Sequence, residues 1–353
     1  MSQTVYIFSV VSEHTTARYF HRAICDLQGW RCNYISTLFD LSQLDADDLF
    51  FYVDPTMEWP LGLESVPCTT IAYFIDVHQD LRSRLMLSNF FDVVFVAQKK
   101  YVPAFCEIGH KNVYWLPLAC DAETHNVPSK FRCFDIGFVG ALGSQGTQRN
   151  KILSSILPEF HTNEYWRYHS PREMGEVYGQ SKIVFNASIN GDLNMRVFEA
   201  MAAGALLITD RISDGLSDLF TEGTHYIAYS TVSDAMEKIR YYLENNGDRE
   251  AIACAGQLAV LGHHTYKKRL EFIKQRLDGT GGAAPARRFS RLELGALYAD
   301  VFMFLRQPCR IATVFRYYGV SSHAALCWLK ASVRWLNVRI PMTPNAIKSR
   351  LNR

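Results

Sequence analysis

Short apolar runs alternate with helically spaced segments along most of the chain. Residues 4–10 read as a strand, and "TTARYFHRAICDLQGW" follows with helical spacing, ending near Gly29. "DDLFFYVDP", "TTIAYFID" and "FDVVFVAQ" are further apolar runs, and "NVYWLPLACD" closes this first series. The polar, irregular stretch 119–132 is a candidate hinge. A second series then begins. It runs through the strand "FDIGFVGA", the helix "QRNKILSSIL", the short helix "PREMGEVYGQS" and the strand "KIVFNAS". A helix and the strand "ALLITD" follow, then "THYIAYS" and three amphipathic helices reaching residue 277. Strands alternating with helices predict parallel sheets with right-handed crossovers.

The expected fold is α/β, with two doubly wound Rossmann-like domains facing a cleft and a helical, basic C-terminal extension. The expected boundaries are 1–122, 123–277, a linker at 278–289, and 290–353. The linker contains "DGTGGAAPARR", and "SRLE" after it forms a capping box, Ser290 capping while Glu293 reaches back. Two such domains place the carboxyl ends of their strands on a shared cleft, where ligands bind.

A chain of 353 residues suits two domains plus an extension. Nothing near the start reads as a signal peptide, and no stretch reaches the roughly 20 apolar residues of a spanning helix. Nine scattered cysteines without a CxxC pair predict reduced thiols in a cytoplasmic protein and no metal site. The net charge of +2 conceals an asymmetry: from Arg276 onward the chain carries 13 Lys and Arg against 3 Asp and Glu, leaving 24 against 32 for the rest.

Chemistry concentrates in "INGDLNMRVFEAMAAGALLITD", residues 189–210. Asp192 or Asn194 can cap the helix that follows, and that helix starts where the second domain's strands end. Its first-turn N–H groups and dipole favour an anion such as a diphosphate. Glu199 lies about one turn further in. A carboxylate there repels phosphate but can accept hydrogen bonds from adjacent hydroxyls, as on a ribose. Alternatively, Glu199 is a solvated residue on an amphipathic helix. In "DIGFVGALGSQGTQRNKIL", Gly140 and Gly143 permit close backbone approach to a ligand, although the nicotinamide-type GxGxxG is missing. Arg149 has the planar fork of a phosphate clamp, or is a surface arginine. Asp76 and His78 end a strand and face the cleft, as acceptor-orienting or proton-accepting groups or as a strand-end capping pair. Glu13 and His14, after the first strand, are placed similarly. "DAD" at 45–47 precedes its strand and reads as a solvated turn.

Together these segments resemble the glycosyltransferases of the GT-B fold, close to family 4 and, more narrowly, the CgeB-type spore-maturation glycosyltransferases. The resemblance runs over roughly residues 70–275, carried by "NMRVFEAMAAGALLITD", by "WLPLACD" upstream and by "HTY" downstream. It implies a transferase that uses a nucleotide-diphosphate sugar as co-substrate, with no other cofactor. It also implies that Glu199 holds the ribose and Arg149 the diphosphate. Gly140, Gly191, Asp192, Asn194, Met195 and Arg196 would cradle the donor sugar and phosphates, and the base would lie near Tyr168 and His169. Many family-4 enzymes carry a glutamate eight residues before the one matched by Glu199; here that position is Gly191. The expected activity is metal-independent, retaining transfer to a glycan or lipid-linked acceptor in surface polysaccharide synthesis. The alternatives are a non-catalytic sugar-nucleotide or glycan binder and a sugar-nucleotide epimerase. No nucleic-acid partner is expected. For the extension, two readings stand: helices packed on the body, or docking on an anionic membrane surface at the inner face.

Overall fold

The computed structural model describes residues 3–9, 15–35, 40–54, 59–127, 129, 131–279 and 289–339. The first sheet contains β1 (Gln3–Phe8), β2 (Trp30–Ile35), β3 (Leu49–Val53), β4 (Thr69–Phe74), β5 (Val93–Val96) and β6 (Val113–Trp115), all parallel, in the order β2-β1-β3-β4-β5-β6. The second contains β7 (Phe134–Gly137), β8 (Ser181–Asn186), β9 (Leu206–Asp210) and β10 (Ile227–Tyr229), again all parallel, in the order β10-β9-β8-β7. The first-domain helices are α1 (Thr16–Cys25), α2 (Leu81–Ser88) and α3 (Val102–Glu107). Next come α4 (Ala122–His125), α5 (Gln148–Ile156), α6 (Pro171–Gly179), α7 (Met195–Ala202), α8 (Leu216–Leu219), α9 (Val232–Glu244) and α10 (Asn246–His263). The chain ends in α11 (Tyr266–Gly279), α12 (Arg291–Phe304), α13 (Pro308–Tyr318) and α14 (Ser322–Arg339).

Strand alternation sorts the core into layers. On β3, Leu49, Phe51 and Val53 face one core while Phe50 and Tyr52 face another. The first of these cores continues from the first sheet through α7 to Val184 and Leu207 of the second, so the two domains share buried apolar surface. A third core, containing Ile183, Phe185 and Ile208, lies on the far face of the second sheet.

Three features differ from the sequence pattern. β2 is an edge strand that the pattern does not mark. Its residues alternate between partly buried and exposed, and Arg31 and Asn33 interrupt the apolar run. The helix at 266–277, assigned to the second series, crosses back to the first domain. Its Phe272 ring meets Phe95 at 6.3 Å, and Leu270 and Ile273 join the core built on Val5 and Ile7. The extension does not stand apart. α12 and α13 cover the second face of the first sheet, where Tyr298 lies 4.9 Å from the Phe90 ring and its hydroxyl donates to Glu64 Oε2 at 2.8 Å. The same hydroxyl accepts from the Gly62 and Leu63 amides at 3.0 Å each.

Residues 117–121, at the start of the candidate hinge, are held from both sides. Asp121 caps α4 and is ion-paired with Arg22 of α1. The Arg269 fork on α11 donates to Pro117 O at 2.8 Å and Leu118 O at 3.1 Å. All nine cysteines are unpaired. Among the described residues no helix is long and apolar enough to cross a membrane.

Candidate active site

Two adjoining cavities open at the carboxyl ends of the strands. One of 450 Å³ is lined from the first domain by Asp76, His78 and Gln98, and from the second by Gly143, Arg149 and the stretch Asp192–Arg196. The other, of 370 Å³, is lined by Tyr19, Gly140, Arg167, Tyr168, His169, Met174 and Met195. Glu199 lines both.

The wall between them is α7. Its apolar side, with Val197, Phe198 and Met201, is buried, and Gly204 ends it in the left-handed region at φ 72°. Asn194 occupies the N-cap position but makes no capping hydrogen bond. Its amide instead donates to Asn186 Oδ1 at 3.1 Å, and its own Oδ1 is buried with no hydrogen-bond partner. Asp192, the other expected cap, points elsewhere. The first-turn N–H groups of α7 therefore face the cavity without a side-chain cap, as an anion site requires.

Glu199 is 6% exposed, so it is not the solvated residue of the alternative reading. Burial pushes its carboxyl up to about 7, against the opposing pull of Arg196. His125 stands behind it. The Asp121 amide donates to His125 Nδ1 at 3.0 Å, so the ring proton resides on Nε2. That Nε2 lies 3.3 Å from the Tyr19 hydroxyl and 3.8 Å from Glu199 Oε1, the latter beyond hydrogen-bond length. Burial, reinforced by Arg22, lowers the His125 pKa to about 3, so the ring is neutral. The carboxyl thus keeps accepting capacity for a ligand in either cavity.

The turn after β7 is held by two cations, Arg149 of α5 and Arg196 of α7. Gly140 and Gly143 have φ of 133° and 89°, and a Cβ at Gly140 would meet Arg196 Nη2 at 2.6 Å. The Arg196 fork donates to Val139 O at 2.7 Å and Asn186 Oδ1 at 2.8 Å, and its guanidinium lies 4.5 Å from the Phe138 ring. Arg149 donates to Ala141 O at 3.0 Å and also to Ala187 O, with its guanidinium 5.6 Å from the same ring. Burial, then Arg196, lowers the Arg149 pKa to about 10, which leaves it charged. Arg149 is therefore half-buried at the cavity wall, not a surface arginine.

Asp76 takes a left-handed conformation at φ 52°, uncommon for a residue other than glycine, two residues past the end of β4. His78 sits on the one-turn helix that follows. Across the cleft its Nδ1 is 2.7 Å from Asp192 Oδ2, close but misaligned for a hydrogen bond. Lys100, beyond β5, pairs with the other oxygen of Asp192, and its amide donates to Asp214 Oδ1 at 2.8 Å. Asp192 thus links the two domains. His169 is buried, with Nε2 3.0 Å from Glu164 O and Nδ1 unpartnered, whereas Tyr168 is 66% exposed at the rim. Gly191, at φ 69°, turns the loop toward Asp192.

Glu13 and His14 lie outside the described residues. The "DAD" segment lies in a turn, with the Asp45 amide donating to Asp48 Oδ2 at 2.8 Å. The pattern gave no signal for Tyr19, Gln98, Lys100 or His125; only their places just beyond strand ends or on α1 and α4 could have suggested them. One group of ligand-type side chains, Asp300, His323 and Cys327, lies between α12 and α14, and none of the three lines either cavity.

Residues 138–275 match the family model described as glycosyl transferase-like, which spans most of the second domain and most of α11. No curated protein matches the sequence. Among solved structures, the Anabaena HepE protein in complex with UDP and glucose superposes with a TM-score of 0.57, at 10% identity, over 79% of this chain and 100% of that one. The fold is GT-B. A glycosyltransferase from Rickettsia africae (TM-score 0.52, 11% identity, 79% of this chain and 99% of that one) shares it. So does the sucrose-phosphate synthase of Thermosynechococcus elongatus, with a TM-score of 0.52 at 10% identity over 79% of this chain and 100% of that one. At such identities the likeness is one of fold, and the cleft of this GT-B chain carries its own side chains.

Proposed function

We propose that the chain is a glycosyltransferase that moves a sugar from a nucleotide-diphosphate donor to a hydroxyl of a glycan or lipid-linked acceptor. The observation that carries the reading is the junction of the two cavities. A buried carboxyl with free accepting capacity lies one turn behind an uncapped helix N-terminus, with two arginines beside it. The nucleoside occupies the smaller cavity. Its ribose hydroxyls donate to Glu199, and its base lies against Tyr168 and His169. The diphosphate meets the α7 N–H groups and Arg149, while Arg196 holds the turn that shapes this wall. The sugar projects into the larger cavity toward Asp76 and His78. UDP bound to the Anabaena structure supports a nucleotide of this class.

In the reaction the bond between the sugar's anomeric carbon and the diphosphate oxygen breaks through an oxocarbenium-like state. The acceptor oxygen bonds to that carbon, and its proton passes to the departing diphosphate or to His78. The helix N-terminus and Arg149 stabilise the negative charge that develops on the leaving group, so the step needs no metal. Attack from the face of departure gives retention. Asp192 stands one position after the family's missing glutamate and faces the acceptor side, where its charge lies beside His78. The setting we propose is surface polysaccharide synthesis. The test is incubation of the purified chain with UDP-, GDP-, ADP- and CMP-sugars, with and without glycan acceptors, following nucleotide release. Acceptor-dependent release supports transfer. Saturable binding without turnover would assign the chain to the non-catalytic binders, and interconversion of donor sugars without acceptor would make it an epimerase.

A further inference from the structure

The outermost helix has inverted polarity. A helix on a globular surface buries its large apolar residues and exposes polar ones. α14 buries Ala324, Cys327 and Ala331 against α12 and α13. It exposes Leu326, Leu329, Val333 and Leu336, with Leu329 and Val333 at 55% and 57%. At about 100° per residue these four fall within an arc of about 80°, pointing away from the protein. Trp328 and Trp335, both exposed, flank one side of this stripe, and Lys330 and Arg334 the other. The inner face is fixed by His323 Nε2, 3.0 Å from Asp300 Oδ2 of α12, and by Cys327 Sγ, 3.4 Å from Asp300 Oδ1. The outward stripe is thus a constant feature of the folded domain and not a loose end.

Charge identifies the partner. From Val301 to Arg353 the sequence has nine Lys and Arg and no Asp or Glu. An interface with another protein sets charges of one sign against the other. Lys330 and Arg334 beside an apolar stripe bordered by tryptophans, in a stretch of sequence without acidic residues, match an anionic bilayer surface. We infer that α14 docks the protein on the surface of an anionic membrane, its Leu/Val stripe entering the headgroup boundary and its cations meeting lipid phosphates. The inference is independent of the proposed chemistry in the cleft, because vesicle binding requires no donor. It also reconciles the two readings of the extension: α12 and α13 belong to the globule, and α14 offers the membrane face.

The test is sedimentation of the 353-residue chain with vesicles of phosphatidylcholine alone or mixed with phosphatidylglycerol. Binding is expected only to the mixed vesicles, weakening with salt, with tryptophan emission quenched by brominated phosphatidylglycerol. Leu329→Asp/Val333→Asp alters two exposed residues, so it should melt like the parent while its vesicle affinity falls by more than about tenfold. Lys330→Ala and Arg334→Ala should each cost about fivefold. Absence of binding to mixed vesicles would overturn the inference, as would equal binding by the double Asp variant. A dimer that the Asp pair dissociates, with no vesicle binding, would assign the stripe to a second copy and also overturn it. Binding that emerges only after removal of residues 340–353 would assign the stripe to that segment and likewise overturn the inference.

Discussion

Replacing Glu199 by Gln preserves the shape of the side chain and removes its titration. In the folded chain burial raises this carboxyl from 4.5 to about 7. The folded state therefore holds the proton more tightly than the unfolded state, and between those two values stability falls as pH rises. Above about 7 the buried carboxylate costs on the order of 3 kcal/mol, from 1.36 kcal/mol per pKa unit. Glutamine carries no such cost. Thermal melts of the ligand-free protein should coincide for the two forms near pH 4. The gap should open through neutrality, with the glutamine form several degrees more stable near pH 8. A ribose that donates two hydroxyls to Glu199 selects the carboxylate, so nucleotide binding below about pH 7 should expel a proton. Calorimetric titrations in buffers of different ionisation enthalpy read that release directly, and it should vanish in the glutamine form. Melting curves that stay parallel across pH, or binding with proton uptake, would refute the account of this residue.

Arg149→Ala should lower kcat more than it raises KM, because the charge it meets develops in the transition state, and Arg149→Lys should recover only part of the loss. A pure KM effect in steady-state kinetics would restrict Arg149 to ground-state binding. Asp192→Asn removes the charge that faces His78 and Lys100 across the cleft, and should reduce kcat/KM by a factor equivalent to about 1–3 kcal/mol. Unchanged kcat/KM would separate this bridge from function. Gly140→Ala drives a Cβ into Arg196 and strains a backbone at φ 133°, so nucleotide affinity should fall with a loss of about 1–3 kcal/mol in unfolding free energy. A fully stable variant with wild-type affinity would show that the turn can relax.

The alternation of apolar runs with helical spacing is enough to indicate two parallel α/β domains, because strands buried on both faces leave nearly continuous apolar sequence. β2 escapes for the converse reason: an edge strand with Arg31 and Asn33 on its open face carries no such run. α11 escapes because amphipathic spacing says which side of a helix is buried but not which domain buries it. Glu199 and Arg149 are legible, since a carboxylate in an apolar helix and an arginine after a glycine turn are locally anomalous. The cross-cleft contact of Asp192 with His78 and Lys100 is not legible, nor is the place of His125 behind Glu199. Both depend on tertiary approach between segments far apart in sequence. Asp192 reads as a candidate cap from its position alone, and the fold uses it as a bridge instead. The capping box at Ser290 is visible as a local motif and is formed. The body that its helix packs on is not visible.

The central claim is that a nucleoside diphosphate occupies the cleft with its ribose on Glu199. Its most direct measurement is calorimetric titration of UDP, GDP, ADP and CDP into the wild-type chain and the Glu199→Ala variant. The account predicts saturable, one-site binding of at least one of the four. The variant should lose about 2–4 kcal/mol of that binding free energy while remaining folded. Equal affinity in a folded variant, or no binding of any of the four nucleotides to the wild-type chain, would contradict it.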